Sequence, residues 1–271
     1  MTKPVADLSP RRRPATPDRP LTLLDLPFDL SLAQGAFLAV ALFGAALIRG
    51  YSGFGFSAIF IVLAAQTTNP LPLIPVVFTC EIAMTAFQAK GIFAHVDWRR
   101  AVALLVGAAI AVVPAVALMA RLDPVQARIA VSALILALSL LLLSGWQLKR
   151  PIGAVGHVGV GLVAGTANAA GVGGLPTAAF LSAQAIAPAT FRATMIVFLT
   201  GIDLMALPTM SAHGLVTGET VSGALLAFPI LGLGVWLGGR GFATADPVRF
   251  RRRIVTLLAA LALLNIVKVI L

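Results

Sequence analysis

The chain has 271 residues, of which 59% are hydrophobic and 11% charged, and its mean hydropathy is +0.98. A soluble domain usually carries about 25% charged residues, because a surface with far fewer charges exposes large apolar patches. The composition therefore excludes a soluble enzyme and a free nucleic-acid-binding domain, although the net charge of +10 alone would suggest a polyanionic ligand. Most charged residues lie in the N-terminal segment and in short stretches between apolar runs, which indicates an all-α polytopic membrane protein.

Residues 1–30 begin with a Pro- and Arg-rich stretch, which predicts a disordered polar tail. A bilayer core about 30 Å thick needs about 20 apolar residues per helix. Stretches of that kind run over residues 71–89, 101–120, 126–147, 190–210, 220–239 and 252–271. Residues 31–66 and 153–186 form two apolar stretches of about 35 residues each, too long for one straight crossing. Each contains a glycine cluster, so we predict that each is a pair of short helices meeting at a glycine-rich break.

The second half of the chain repeats short features of the first half. Residues 123–125 (Asp-Pro-Val) recur as residues 246–248, an offset of 123, and residues 53–55 (Gly-Phe-Gly) align with residues 171–173 (Gly-Val-Gly), an offset of 118. These matches occur in the same order and flank apolar blocks of similar length. We therefore predict two transmembrane repeats, residues 31–150 and 151–271.

The charges of equivalent loops predict that the repeats are inverted. Loop 90–100 holds three lysines or arginines and its counterpart 213–222 holds none, whereas loop 240–253 holds five and its counterpart 121–128 holds two. Because lysine and arginine mark cytoplasmic loops, equivalent loops face opposite sides of the membrane. Two inverted halves of about five helices each satisfy this pattern. The alternative counts each broken segment once, which gives about eight long spans in two parallel halves.

The two breaks are the predicted substrate site, because discontinuous helices at matching positions of two repeats mark the binding sites of transporters. Glycine lets the backbone leave helical geometry, and the freed N–H groups at a helix N-terminus attract an anion. The candidate substrate-binding residues are Arg49, Ser52, Gly53, Gly55, Asn168, Gly171, Gly173 and Gly174. For Gly107, Gly159 and Gly161 we favour a different role, the close packing of membrane helices.

Four charged residues lie inside the apolar stretches, where an ionisable side chain is a functional candidate. Arg49 precedes the first break and is the candidate that neutralises a bound anion. Glu81 and Asp203 are candidates for proton coupling or for ion pairs with the arginines. Arg192 is a second candidate partner, with snorkelling to the membrane surface as the alternative.

Nothing in the sequence assembles into an enzyme. The three histidines lie at loops or span ends without metal-ligand spacing, and no nucleophile and base share a local signature. We therefore expect no metal and no cofactor. The expected partners are a small anionic substrate, the lipid bilayer and a second copy of the chain in a homodimer, and no nucleic acid.

The sequence resembles the TauE/SafE family of sulfite and organosulfonate exporters over residues 31–271. The resemblance rests on residues 52–55 (Ser-Gly-Phe-Gly), 171–176 (Gly-Val-Gly-Gly-Leu-Pro) and 96–99 (Val-Asp-Trp-Arg). It implies export of small sulfur- or carboxyl-bearing anions across the bacterial inner membrane, driven by the proton-motive force and without a bound cofactor. An anion channel, or an integral membrane enzyme or assembly factor, is the alternative function.

Overall fold

The computed structural model describes residues 26–88, 91–145, 152–184 and 186–241, together with 255–256, 259–264 and 266–267. The nine helices of these residues are α1 (Leu32–Ser52), α2 (Phe56–Ala64), α3 (Ile74–Gln88), α4 (Trp98–Met119), α5 (Pro124–Leu143), α6 (Ala154–Asn168), α7 (Gly174–Ser182), α8 (Pro188–Ala212) and α9 (Gly218–Gly241). The described residues from 255 onward are also helical. Most of the predicted tail, and the loop residues 242–253, lie outside the described residues.

Five helical segments are long and apolar enough to cross a membrane. They are Leu32–Ser52, Leu71–Gln88, Trp98–Met119, Pro188–Ala212 and Gly218–Arg240. One face of α4 carries exposed apolar side chains at helical spacing, as expected of a surface that contacts lipid. These residues are Val102, Val106, Ile110 and Val113. The chain is a polytopic α-helical membrane protein.

Local sequence explains where the broken segments begin and end. α1 starts at a capping box in which Ser31 and Gln34 satisfy each other's backbone N–H groups, and it stops at Gly53, whose φ is +81°. The second stretch breaks after Asn168 and resumes at α7, with Pro176 in its first turn as expected. The breaks are therefore where the glycines predicted them. α1, however, has 21 residues and is longer than the short helix we predicted.

Each broken segment folds back on itself. The Gln34 side chain, at the start of α1, donates a hydrogen bond to the Thr67 carbonyl just beyond α2 (2.8 Å). In the second half, the His157 ring near the start of α6 packs edge-on against Phe180 of α7 and lies 3.4 Å from Gln184. Each segment thus returns to the end of the molecule at which it began.

Glycines bring the most extensive helix pairs, α4 with α6 and α1 with α9, into backbone contact. A Cβ on Gly107 or Gly161 would overlap a carbonyl oxygen of the facing helix, so the packing role predicted for these two glycines is confirmed. The same prediction is wrong for Gly159, which is exposed and has no described atom within 4 Å of a Cβ position.

Two cavities lie at opposite ends of α4. One, of about 370 Å³, is lined by Asp97, Arg99 and Arg100 at the start of α4 and by the start of α6. The other, of about 410 Å³, is lined by Met119 and Ala120 at the end of α4 and by residues of the α8–α9 loop. The loop before α4 and the loop after α8 therefore occupy opposite ends of this 22-residue helix.

Candidate functional site

The two helix breaks each pack against the other half of the chain. A Cβ on Gly53 would lie 2.6 Å from Cγ of Arg192, at the start of α8. A Cβ on Gly171, whose φ is +75°, would lie 3.2 Å from Ile61 and 3.6 Å from Ile74. Glycine is needed at both positions because of positive φ and close approach.

These two contacts are related by the offset found in the sequence. Gly53 and Gly171 are 118 positions apart, and so are their partners Ile74 and Arg192. The equivalent positions differ in chemistry, however, since the first break meets an arginine and the second meets an isoleucine. The first break is therefore the more electropositive of the two.

A buried ion pair lies four residues before the first break. Nη1 of Arg49 donates to Oε1 of Glu81 on α3 at 3.0 Å, and the two side chains are 0% and 1% exposed. Nη2 of Arg49 also donates to the Thr85 hydroxyl at 3.4 Å. Nε of Arg49 is buried and has no hydrogen-bond partner among the described residues. Of the three guanidinium nitrogens, Nε is thus the one that donates no hydrogen bond to the described residues.

A second buried carboxyl connects this pair to the second break. Nδ2 of Asn168, the last residue of α6, donates to Oδ1 of Asp203 at 3.2 Å. Asp203 is fully buried on α8, near enough to Glu81 for the two carboxyl groups to interact electrostatically. Two bonded pairs, Arg49 with Glu81 and Asn168 with Asp203, therefore lie near each other between the two helix breaks, and we call these four residues the central chain.

Two predicted residues bind the backbone of the first break instead of joining the central chain. Nη2 of Arg192 donates to the Gly50 carbonyl at 2.8 Å, where its positive charge also suits the C-terminal end of α1. The Ser52 hydroxyl lies 2.8 Å from both the Ile48 and the Phe54 carbonyl oxygens. Arg192 is half-buried against the break, which differs from a side chain that snorkels to the surface.

The remaining predicted glycines make room in the breaks. Gly55 has a φ of +89° and precedes α2, whose N-terminus no side chain caps. A Cβ on Gly173 would lie 2.7 Å from Oδ1 of Asn168, and one on Gly174 would lie 3.2 Å from Leu199. A side chain at Gly173 would therefore displace the amide that holds Asp203.

The sequence reasoning missed two threonines. The hydroxyls of Thr85 on α3 and Thr200 on α8 lie 2.6 Å apart and join the two helices beside the central chain. Their spacing was the available signal, because Thr85 follows Glu81 by four residues and Thr200 precedes Asp203 by three. Residues three or four apart share a helix face, so this spacing predicts that each threonine lies beside the carboxyl group on its own helix.

Asp97 caps the N-terminus of α4 by accepting a hydrogen bond from the Arg100 backbone N–H at 3.1 Å. Burial alone would raise the pKa of the Asp97 carboxyl. The hydrogen bonds from the Arg100 backbone and side chain, and the Arg100 charge, outweigh burial and lower this pKa below its ordinary value.

Comparison with known proteins gives one result. The family model described as Sulfite exporter TauE/SafE matches residues 37–265, which include both breaks and every residue of the central chain. Searches of curated proteins and of solved structures found no match. Since the family match covers well over half of the sequence, this chain belongs to the TauE/SafE sulfite exporter family of membrane transporters.

Proposed function

We propose that the protein is a secondary transporter that moves a small anion, such as sulfite, an organosulfonate or a related carboxylate, across the bacterial inner membrane and is coupled to the proton gradient. The observation that carries this proposal is the central chain. It combines a guanidinium, two carboxyl groups and an amide inside the membrane, contributed by both halves of the sequence and ending at both helix breaks. Ionisable groups so placed are typical of substrate and proton pathways.

Four features support two inverted repeats as the framework of this transporter. Both broken segments are hairpins, and the loops after α3 and α8 lie at opposite ends of α4. The Gly53–Arg192 and Gly171–Ile74 contacts share one sequence offset. In the two repeats α4 is equivalent to α9, and α1 is equivalent to α6. The contact of α4 with α6 is therefore equivalent to the contact of α9 with α1. Such a framework allows one half to rock against the other around a fixed site.

The anion is expected at the first break. Arg49 lies in the last turn of α1 before the break and Arg192 packs against it, near enough for their charges to interact, and the uncapped N-terminus of α2 adds a positive dipole. Arginine binds the oxygens of sulfite, sulfonate or carboxylate with paired hydrogen bonds. Glu81 and Asp203 are the groups available to carry protons.

The orientation follows from the loop charges. The end of α4 that carries Arg99 and Arg100 faces the cytoplasm under the positive-inside rule. The α8–α9 loop, with Glu219 as its nearest acidic residue, then faces the opposite side.

The test is transport by purified protein in proteoliposomes, with a panel of sulfite, sulfoacetate, methanesulfonate, taurine, sulfate and small carboxylates, each with and without an imposed pH gradient. We expect flux of at least one sulfur-bearing anion and a dependence on the gradient. Arg49→Ala should abolish this flux at normal expression, whereas Arg99→Ala, which removes an exposed arginine, should not. Near-normal flux through Arg49→Ala would refute the site, and flux that ignores the pH gradient would favour a channel.

A further inference from the structure

A buried histidine that the central chain does not use lies in the first turn of α6. His157 packs its ring edge-on against Phe180 of α7, with the ring centroids 4.9 Å apart, and the residue is 4% exposed. It also lines the cavity of about 370 Å³ together with Gly153 and Ala154, which are exposed, so water and protons can reach the ring. Histidine is the ordinary side chain whose charge changes between about pH 5 and 8.

The hydrogen bonds of this ring determine its protonation state. Nδ1 lies 2.9 Å from the Gly153 carbonyl oxygen, which can only accept, so Nδ1 carries a hydrogen and donates. Nε2 lies 3.4 Å from the amide nitrogen of Gln184, two residues beyond the end of α7. The amide oxygen of Gln184 accepts a hydrogen bond from Nε of Arg100 at 3.2 Å. Since arginine only donates, this oxygen must face Arg100 and the amide NH2 must face His157, so Nε2 accepts and the ring is neutral.

These contacts connect three parts of the chain at one end of the molecule. Arg100 lies in the first turn of α4, His157 in the first turn of α6, and Gln184 follows α7. We call these three residues the His157 cluster. Asp97 forms an ion pair with the Arg100 side chain and thereby fixes one end of the cluster. The cluster therefore joins the two ends of the second broken segment to each other and to α4.

A proton on Nε2 of His157 is incompatible with this arrangement. Both nitrogens of a protonated ring donate, so Nε2–H would face the NH2 group of Gln184, and two donors would oppose each other. If the amide turns over, its oxygen accepts from His157, but its NH2 group then opposes the Nε–H of Arg100. Only one of the two hydrogen bonds of the Gln184 amide survives protonation.

The surroundings leave this titration to His157. The described helices that pack most against α6 are α4, α7 and α8. The charged residues that face the histidine across the cavity belong to the start of α4 and are Asp97, Arg99 and Arg100. Asp97 stays ionised because its pKa is lowered, and arginine stays protonated. The helix α7 has no titratable residue, and the charged residues of α8, Arg192 and Asp203, are hydrogen-bonded at the two helix breaks.

The first broken segment is closed by contacts of a different kind. Gln34 donates to the Thr67 carbonyl at 2.8 Å, and neither group titrates. Gln66, which the offset of 118 aligns with Gln184, donates to the Leu261 carbonyl at 3.3 Å. Among the described residues, a closure that contains a histidine therefore belongs to the second segment and to the end of the molecule at which α4 begins.

We infer that His157 is a regulatory proton-binding site that controls this end of the second broken segment. A proton that enters through the cavity breaks the His157 cluster and frees the end of α7 from either α6 or α4. The consequence for transport rests on the proposed function, in which the helix breaks must become accessible from each side in turn. Release of this end makes that opening easier, so acid accelerates transport.

The first test does not need a substrate. Hydrogen–deuterium exchange of the wild-type protein in lipid nanodiscs is measured by mass spectrometry at pH ~7.5 and pH ~5.5, on either side of the titration of an ordinary histidine. Each rate for residues 175–184 is divided by the rate of His157→Gln at the same pH, which cancels the pH dependence of chemical exchange. The glutamine keeps an acceptor for Gln184 and cannot be charged.

We expect this ratio to be near one at pH ~7.5 and to rise about 2- to 10-fold at pH ~5.5, the effect of losing one hydrogen bond. His95→Gln changes an exposed histidine of the loop before α4 and is the matched control, which should behave as wild type. Gln184→Met removes both hydrogen bonds of the amide. It should exchange at pH ~7.5 as much faster than His157→Gln as the wild type does at pH ~5.5, and it tests the cluster even if His157→Gln does not fold.

The second test measures the consequence for transport. Exchange of a labelled panel anion across proteoliposomes is followed with the same pH on both sides, and the wild-type rate is again divided by that of His157→Gln. Proton coupling at the central chain affects both proteins equally and cancels in this ratio. We expect the ratio to rise about 2- to 10-fold between pH ~7.5 and pH ~5.5.

The outcomes separate the two proposals. A deuterium-exchange ratio that does not change with pH, or a change that His95→Gln abolishes, overturns the inference and leaves the proposed function intact. A changed deuterium exchange with an unchanged flux ratio also overturns it, because His157 would then bind a proton without regulating transport. If the wild-type protein moves no anion of the panel, the proposed function fails, and deuterium exchange alone decides whether His157 is the proton-binding site.

Discussion

Replacing Gly165 by alanine tests the helix contact that holds the second broken segment in position. Gly165 is buried in α6, and a Cβ at this position would lie 2.7 Å from the Ala108 carbonyl oxygen and 2.9 Å from the Ala108 Cα. An ordinary carbon–oxygen contact is about 3.3 Å, so α6 and α4 must separate by about 0.6 Å. The atom that is overlapped belongs to backbone and cannot rotate away.

The magnitude follows from two opposing terms. Inserting a methyl group into a packed interface costs about 1–3 kcal/mol, because a gap of this size removes about a quarter of the attraction across the rest of the contact. Alanine also favours the helix over glycine by about 0.5–1 kcal/mol. Gly159→Ala, on the exposed side of the same helix, has only the second term. The difference between the two variants therefore isolates the packing cost.

The assay is reversible unfolding in SDS, followed by tryptophan fluorescence. We expect Gly159→Ala to be as stable as wild type or slightly more stable, and Gly165→Ala to be less stable than Gly159→Ala by about 1–3 kcal/mol. Gly161→Ala, whose Cβ would overlap the Leu104 carbonyl more severely, should lose more. Equal stability of the Gly165 and Gly159 variants would refute the argument that α4 and α6 are in backbone contact.

Two further predictions concern the loops. Cysteines introduced at positions 95 and 217, which are exposed while Cys80 is buried, should react with a membrane-impermeant thiol reagent from opposite sides of the membrane; labelling of both from one side would exclude inverted repeats. Asp97→Ala should destabilise the protein by about 1 kcal/mol at neutral pH through loss of the α4 cap, whereas Asp97→Asn should retain most of the cap. Because folding lowers the pKa of Asp97, the stabilisation from its charge is present above pH ~4 and is lost as the pH falls through the folded-state pKa. The difference in melting temperature between wild type and Asp97→Asn should therefore vanish in acid.

The positions of the helix breaks could be predicted because their causes are local. Gly53 and Gly171 adopt positive φ, which other residues rarely do, and Pro176 suits the first turn of a helix, where its missing N–H costs nothing. That the chain is a membrane protein could be predicted equally well, because it depends on composition. Candidate charges were found by the same reasoning, because an ionisable residue in an apolar stretch is conspicuous in any context.

The partners of those charges could not be predicted. Arg49 pairs with Glu81 across 32 positions of sequence, and Arg192 reaches the Gly50 carbonyl across 142. Which helix faces which depends on the sum of many weak contacts between apolar surfaces, and no single residue encodes that sum. The sequence therefore left ion pairing and proton coupling as alternatives for Glu81 and Asp203, and the two carboxyls came together only in the folded chain.

The low share of charged residues determined that this chain enters a membrane, and the glycine clusters determined where its helices break. Tertiary structure alone decided how the helices face one another. Gly159 and Gly161 illustrate the distinction, since both looked like packing glycines. Two positions along a helix correspond to about 200° of rotation, so one contacts α4 and the other is exposed. The rotation of a helix about its axis is set by its neighbours, and with it the side chains that meet at the site.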